Sequence, residues 1–125
     1  MLVIDDDRDF LESLGDMLEM GGNYSTCLAR DAVSAVAMAQ AHLPAIALID
    51  VKLGQDNGLE LLPILKRTLP GMVCIVMTAF RDEKHSRQAF ESGAEAFLHK
   101  PIDPNRLFLT MQDLLVHSPD GSGSN

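Results

Sequence analysis

A chain of 125 residues, 46% of them hydrophobic, suffices for one well-cored domain and is too short for two. With 10 basic residues against 18 acidic ones the formal charge is -8, which repels nucleic acid and favours a cation or a basic partner surface. No apolar run approaches the ~20 residues that cross a bilayer, and Met1 leads straight into an Asp-containing strand with no signal peptide to read, so the expectation is a cytoplasmic domain without membrane contact.

Taken in chain order, Leu2-Val3-Ile4 is a short apolar run that ends in Asp5-Asp6. The spacing of Phe10, Leu11, Leu14, Met17 and Leu18 predicts a helix over about residues 8 to 20, stopped by Gly21-Gly22. A short strand near Tyr24 to Leu28 follows, and then Asp31 as N-cap of a helix carrying Val33, Val36, Ala37 and Met38 that stops before Pro44. Ala45 to Ile49 is a second apolar run and ends in Asp50. Gly54, Asp56-Asn57 and Gly58 are turn signals, and a third helix is expected over about Leu59 to Thr68. Pro63 is read as lying early enough in that helix for its missing donor to cost little.

Leu69-Pro70-Gly71 breaks the chain before Val73 to Met77, which runs into Thr78. Asp82 can cap a charged fourth helix of about Glu83 to Glu91 whose apolar stripe, Ala89 and Phe90, is sparse. Such a thinly buried helix suits the part that moves. Ala96 to His99 runs into Lys100-Pro101, and a last helix starts at Asp103-Pro104 with Leu107, Met111, Leu114 and Leu115 inward. Residues 118 to 125 have linker composition and are expected to lie outside a domain of residues 1 to 117.

Five strand-like runs alternating with five helical patterns predict an α/β fold: a (βα)5 doubly wound, five-stranded parallel sheet, strand order 2-1-3-4-5, with helices on both faces. Cys27 and Cys74 then fall on strands three positions apart, beyond disulfide reach, and read as reduced core thiols. Ligands of such sheets bind at the carboxyl ends of the strands. Asp5, Asp6, Asp50, Thr78 and Lys100 all stand at those ends, so carboxylates, a hydroxyl and an ammonium converge on one crevice, a site for a cation and a phosphoryl group. None of His42, His85, His99 and His117 has metal-ligand spacing, and the methionines fall at core positions.

The V-I-D-D start, the L-I-D strand end followed by G-L-E-L-L, the V-M-T-A segment and the G-A-x-x-F-L-x-K-P segment, in this order, resemble the receiver domain of two-component response regulators over about residues 2 to 116. The resemblance implies that Asp50 accepts a phosphoryl group, and that Asp6, Asp50 and the backbone carbonyl of Lys52 hold Mg²⁺ with Asp5 acting through water. It further implies that Thr78 is the switch hydroxyl, that Phe97 is the aromatic switch position, that Lys100 pairs with the phosphoryl oxygens, and that the Lys100–Pro101 bond is cis. The implied partners are a sensor histidine kinase or phosphotransfer protein, an output domain in cis or a target in trans, and a phosphorylation-dependent homodimer. The output face would be that of the fourth helix, fifth strand and fifth helix. The chain departs from the commonest pattern in Gly54, where many relatives have Pro, in Phe97, where Tyr is frequent, and in Ala96.

The chemistry is coherent. Clustered carboxylates repel one another, and a hard divalent cation with oxygen ligands removes that repulsion. The cation and Lys100 would neutralise charge on the transferring group while Asp50 attacks it. Lys52 and Phe80, each two residues from a site residue, are expected to flank the path of hydrolytic water and to make the adduct long-lived, as suits transcription regulation. Two other classes compete. Asp5-Asp6-Asp7 holds an Asp-x-Asp that a haloacid-dehalogenase-type phosphatase would use with Asp5 as nucleophile, although Asp50 would then have no role. A receiver-shaped module that is never phosphorylated would need none of the acidic residues. A flavodoxin is excluded by the acidic first loop.

Overall fold

The computed structural model describes residues 1–22, 24–79 and 83–116. The elements are β1 (Leu2–Ile4), α1 (Arg8–Gly21), β2 (Cys27–Ala29), α2 (Ala32–His42), β3 (Ile46–Asp50), β4 (Lys52–Leu53), β5 (Asp56–Asn57), α3 (Gly58–Thr68), β6 (Val73–Thr78), α4 (Glu83–Glu91), β7 (Ala96–His99) and α5 (Pro104–Val116). The main sheet is parallel throughout with strand order β2-β1-β3-β6-β7, which is the expected 2-1-3-4-5 once the small β4–β5 ribbon is set aside. That antiparallel ribbon occupies the stretch whose glycines and Asp-Asn pair predicted only turns.

Side chains of neighbouring strand residues leave the sheet on opposite faces, and this alternation divides the core in two. Leu2, Ile4, Ala47, Ile49, Cys74 and Val76 face α2, α3 and α4. Val3, Ile46, Leu48, Val73, Ile75, Met77 and Leu98 face α1 and α5. Each strand is therefore apolar on both sides, which is why it reads as a continuous run in the sequence.

Caps set the helix starts. Asp7 accepts from the amides of Asp9 and Phe10, Asp31 from that of Ser34, and Asn57 from that of Leu59. The bonds from Ser34 hold the exposed Asp31 carboxyl below its usual range.

Three expectations about the helices need correction. In α2 the buried residues are Ala35 and Ala39, whereas Val33 is 82% exposed and Ala37 also faces out. In α4 Ala89 is buried but Phe90 points to solvent. Pro63 is the sixth residue of α3, past the first turn, where an ordinary residue's amide would bond back along the helix. It thus removes an internal donor rather than a free one. The Asp82 cap, Phe80 and residues 117–125 lie outside the described residues.

Both cysteines are free. Burial pushes the Cys74 thiol up to about 12, so it behaves as a core group rather than a nucleophile.

An ion pair not foreseen from the sequence ties the far side together. Lys66 Nζ on α3 lies 2.6 Å and 2.8 Å from the two Glu95 carboxylate oxygens and donates to the Met72 carbonyl at 2.8 Å. Glu95 also accepts from the Cys74 amide at 2.8 Å. Replacing Glu95 by Ala strips a partner from both an ammonium and a strand amide, and is expected to cost about 1–3 kcal/mol of folding stability. Glu95→Gln, which keeps an acceptor, should cost less. Urea titration of both variants checks the order.

Candidate functional site: the acidic crevice at the carboxyl end of the sheet

The crevice lies where the strand order reverses, between β1 and β3, as the topology of open α/β sheets requires. β1 ends one residue before Asp5, and β3 ends on Asp50. Register places Ile4 beside Ile49 and Asp50 beside Met77, so Asp5, Asp50 and Thr78 follow one another across three neighbouring strands. β7 carries the chain on to Lys100, whose amide donates to the Thr78 carbonyl at 2.8 Å.

The carboxylates of Asp5, Asp6 and Asp50 each offer an oxygen, all within 4.8 Å of one another. Lys100 Nζ reaches two of them, Asp5 Oδ2 at 2.5 Å and Asp50 Oδ2 at 3.1 Å. The other oxygen of Asp5 accepts from the Asp7 amide at 2.9 Å, and that of Asp50 from the Lys52 amide at 3.3 Å. Asp6 Oδ2 accepts from the Gly54 amide at 2.9 Å. The stem of Lys100 brings its ammonium 4.0 Å from the centre of the Phe10 ring, a cation–π contact that steadies it.

Burial and charge act on these groups together. Asp5 is fully buried, and desolvation raises its pKa, with the charge of Asp50 adding to the effect and the Lys100 bond opposing it. Desolvation pulls Lys100 down, but the bonds to Asp5 and Asp50 and the charges of both outweigh it and hold the ammonium above its usual value. Three carboxylates against one ammonium leave an excess of two negative charges, which one divalent cation cancels. The donor set is all oxygen and suits a hard cation.

Asp5, Asp6, Asp50 and Lys100 are thus brought together as expected. Thr78 is fully buried at the end of β6 on the same edge. Phe97, on β7, is half-buried, meets the His99 ring edge-on at 5.4 Å, and lines a cavity of about 310 Å³ with Pro101, Ile102 and Arg106. The Lys100–Pro101 peptide is cis. The Lys52 side chain is exposed.

Four contributors escaped sequence reasoning: the Gly54 amide, the Phe10 ring, Asp7 as helix cap, and Arg30, whose guanidinium donates to the Asp6 carbonyl at 3.2 Å and 3.4 Å. Asp7 alone had a signal, since an Asp directly before a helical pattern is a cap. Its carboxylate is committed to the α1 amides and stands outside the cluster, which removes the second carboxylate that the phosphatase reading needs.

Fold and site define a doubly wound α/β domain with an acidic, cation-ready crevice at its switch point. The model of the response regulator receiver domain matches residues 1–112, and the chain belongs to that family. It is 30% identical over 124 residues to the response regulator Rre1 of a Synechocystis strain, covering 98% of this chain and 54% of the relative. Among solved structures, a CheY-like receiver domain protein from Methanospirillum hungatei superposes with a TM-score of 0.86 at 31% identity, covering 93% of this chain and 92% of that one. A response regulator from Burkholderia pseudomallei, solved with a phosphorylated aspartic acid, calcium ion and citrate, gives 0.84 at 29% identity, covering 93% and 68%. The chain spans 54%, 26% and 58% of the length of the first three curated relatives it matches. Among the described residues no helix is long and apolar enough to cross a membrane.

Proposed function

We propose that Asp50 accepts a phosphoryl group from a sensor histidine kinase or phosphotransfer protein, and that Mg²⁺ held by Asp6, Asp50 and the Lys52 carbonyl, with Asp5 acting through water, assists the transfer. The observation that carries this reading is the single ammonium of Lys100 shared between Asp5 and Asp50 inside a cluster that keeps two negative charges in excess. A carboxylate oxygen of Asp50 forms a bond to phosphorus. The bond from phosphorus to the donor's nitrogen or oxygen breaks, and the leaving group keeps the electron pair and takes a proton from solvent. When bound, the cation would neutralise charge on the transferring oxygens.

Lys100 would follow the phosphoryl oxygens as they replace its carboxylate partner. The domain then acts as a phosphoryl acceptor that promotes its own modification, not as an enzyme of multiple turnover. Incubation with Mg²⁺ and a small phosphodonor, followed by mass measurement, tests the reading: one added phosphoryl group per chain is expected. Many turnovers of a phosphate ester with no adduct would defeat it.

The output would be a switch. Shifting a two-state equilibrium from 1:99 to 99:1 takes about 5.5 kcal/mol. Full burial of an exposed Phe side chain is worth roughly 1.5–3 kcal/mol, of which inward movement of the half-buried Phe97 supplies only a part, and a charge-assisted bond from Thr78 to the phosphoryl group adds roughly 1.5–3 kcal/mol. Neither suffices alone. The face of α4, β7 and α5 would pass the change to an output domain in cis, to a target protein in trans or to a second phosphorylated copy, all in the cytoplasm.

Metal affinity should depend on Asp6 and on pH. Asp6→Ala is expected to lose most Mg²⁺ binding in a calorimetric titration. In the parent, protons compete for Asp5, whose pKa burial raises, so affinity should decline on acidification while an ordinary carboxylate would still be ionised. Affinity that held steady as the pH fell through the raised Asp5 pKa would place the metal elsewhere.

The adduct itself should persist for minutes or longer, with Lys52 and Phe80 shielding it from water. Decay of the phosphorylated parent and of Phe80→Glu, followed by mass, checks this: the variant should decay faster.

A further inference from the structure

The Phe10 ring belongs to the acidic crevice as much as to the core. Phe10 stands in the first turn of α1, three residues after the cap Asp7, and its ring centre lies 4.0 Å from Lys100 Nζ. That ammonium has three N–H donors. Asp5 Oδ2 at 2.5 Å and Asp50 Oδ2 at 3.1 Å are its anionic partners, and the ring is an uncharged third one. The Lys100 side chain is only 20% exposed, and in such partly desolvated surroundings a cation–π contact is stronger than at an open surface. Phe10 also lines a groove of about 490 Å³ with Ser13, Leu14, Met17, Pro101 and Ile102, so a change to its ring is made at a rim and not at the centre of the core.

We infer that Phe10 is a positioning residue for phosphoryl transfer: its ring keeps the Lys100 ammonium at the crevice while the carboxylates that hold it take on other partners. The inference rests on the proposed role of Lys100 in pairing with the phosphoryl oxygens. Both anionic partners of Lys100 belong to the cluster that suits a divalent cation, and Asp50 is also the proposed acceptor. A cation sharing those carboxylates divides their pull on the ammonium and repels it. The π face is no ligand for a hard, oxygen-seeking cation and is not consumed in the transfer, so its attraction persists through both changes. Without it, the ammonium on its flexible four-carbon stem is free to swing toward solvent.

Replacing Phe10 by mono-, di- and trifluorinated phenylalanine drains the π face stepwise at nearly constant shape, which separates electrostatics from packing. The initial rate of adduct formation, followed by intact mass with saturating Mg²⁺ and a small phosphodonor, should fall at each step. At the trifluorinated ring it should be lower by about threefold to tenfold. Phe10→Tyr keeps the π face and should react within about twofold of the parent, whereas Phe10→Leu should resemble the trifluorinated form. A flat rate across the fluorinated series, or Phe10→Leu reacting as fast as the parent, overturns the inference. Lys100→Ala modified at the parental rate defeats instead the underlying reading of Lys100.

A measurement in the metal-free protein tests the contact itself. The ring current of Phe10 should hold the ε-methylene proton resonances of Lys100 upfield, and Phe10→Leu should return them to the position of an ordinary lysine. Resonances that stay where they were refute the contact.

Discussion

Asp50→Asn should take up no phosphoryl group under conditions that modify the parent completely. The amide side chain keeps the shape of the carboxylate but lacks the anionic oxygen that attacks phosphorus. The variant should remain folded, because Lys100 retains its 2.5 Å bond to Asp5 and the loss of one of three crowded carboxylates relieves repulsion. Folding and modification are thereby separated in one substitution. Intact-mass measurement after incubation with Mg²⁺ and a small phosphodonor gives the answer, with thermal unfolding as the control. An adduct formed as fast as in the parent would move the acceptor to another carboxylate, Asp5 or Asp6 first.

Gly58→Ala should be the most damaging glycine-to-alanine change among the described residues. Gly58 opens α3 with its amide bonded to the Val51 carbonyl at 2.6 Å. Its Cα lies so close to β3 that an added Cβ would run into the Asp50 carbonyl, and would also meet the Ile49 side chain at 3.1 Å. The obstacle is main chain, which cannot swing aside as a side-chain tip can. The helix start and the end of β3 must therefore part. A cost of about 3 kcal/mol, the upper part of the usual range for overpacking, is expected, with a melting temperature lower by on the order of 10 °C. The displaced backbone is that of Asp50, so Mg²⁺ affinity should fall as well. A variant that melts with the parent and binds Mg²⁺ equally well would show that the loop yields freely.

Much of this architecture was legible in the one-dimensional chain because the physics behind it is local. Strands covered by helices on both faces must be apolar throughout, so each appears as an unbroken run such as Ile46 to Ile49. The same rule made the polar residues that end those runs conspicuous. Since all parallel strands end on one edge, Asp5, Asp50, Thr78 and Lys100 could be assigned to one crevice before any coordinate was known. Helix starts at Asp31 and Asp103 follow from capping chemistry of the same local kind.

Distance along the chain hides the rest. Glu95 is a surface-type residue in sequence, and only the approach of α3 to β6 makes it the shared acceptor of Lys66 and the Cys74 amide. Val33 and Ala37 fit an apolar helix, yet the sheet meets α2 on the side of Ala35 and Ala39, small residues that allow close contact. Gly54 and Gly58 both read as turn formers. One instead directs an amide at a carboxylate 48 residues earlier, and the other makes room for the backbone of Asp50. Residue type and periodicity determined which elements form and where the charged groups collect. Which atoms orient those groups was decided by tertiary packing alone, since backbone amides and close approaches leave no mark on side-chain identity.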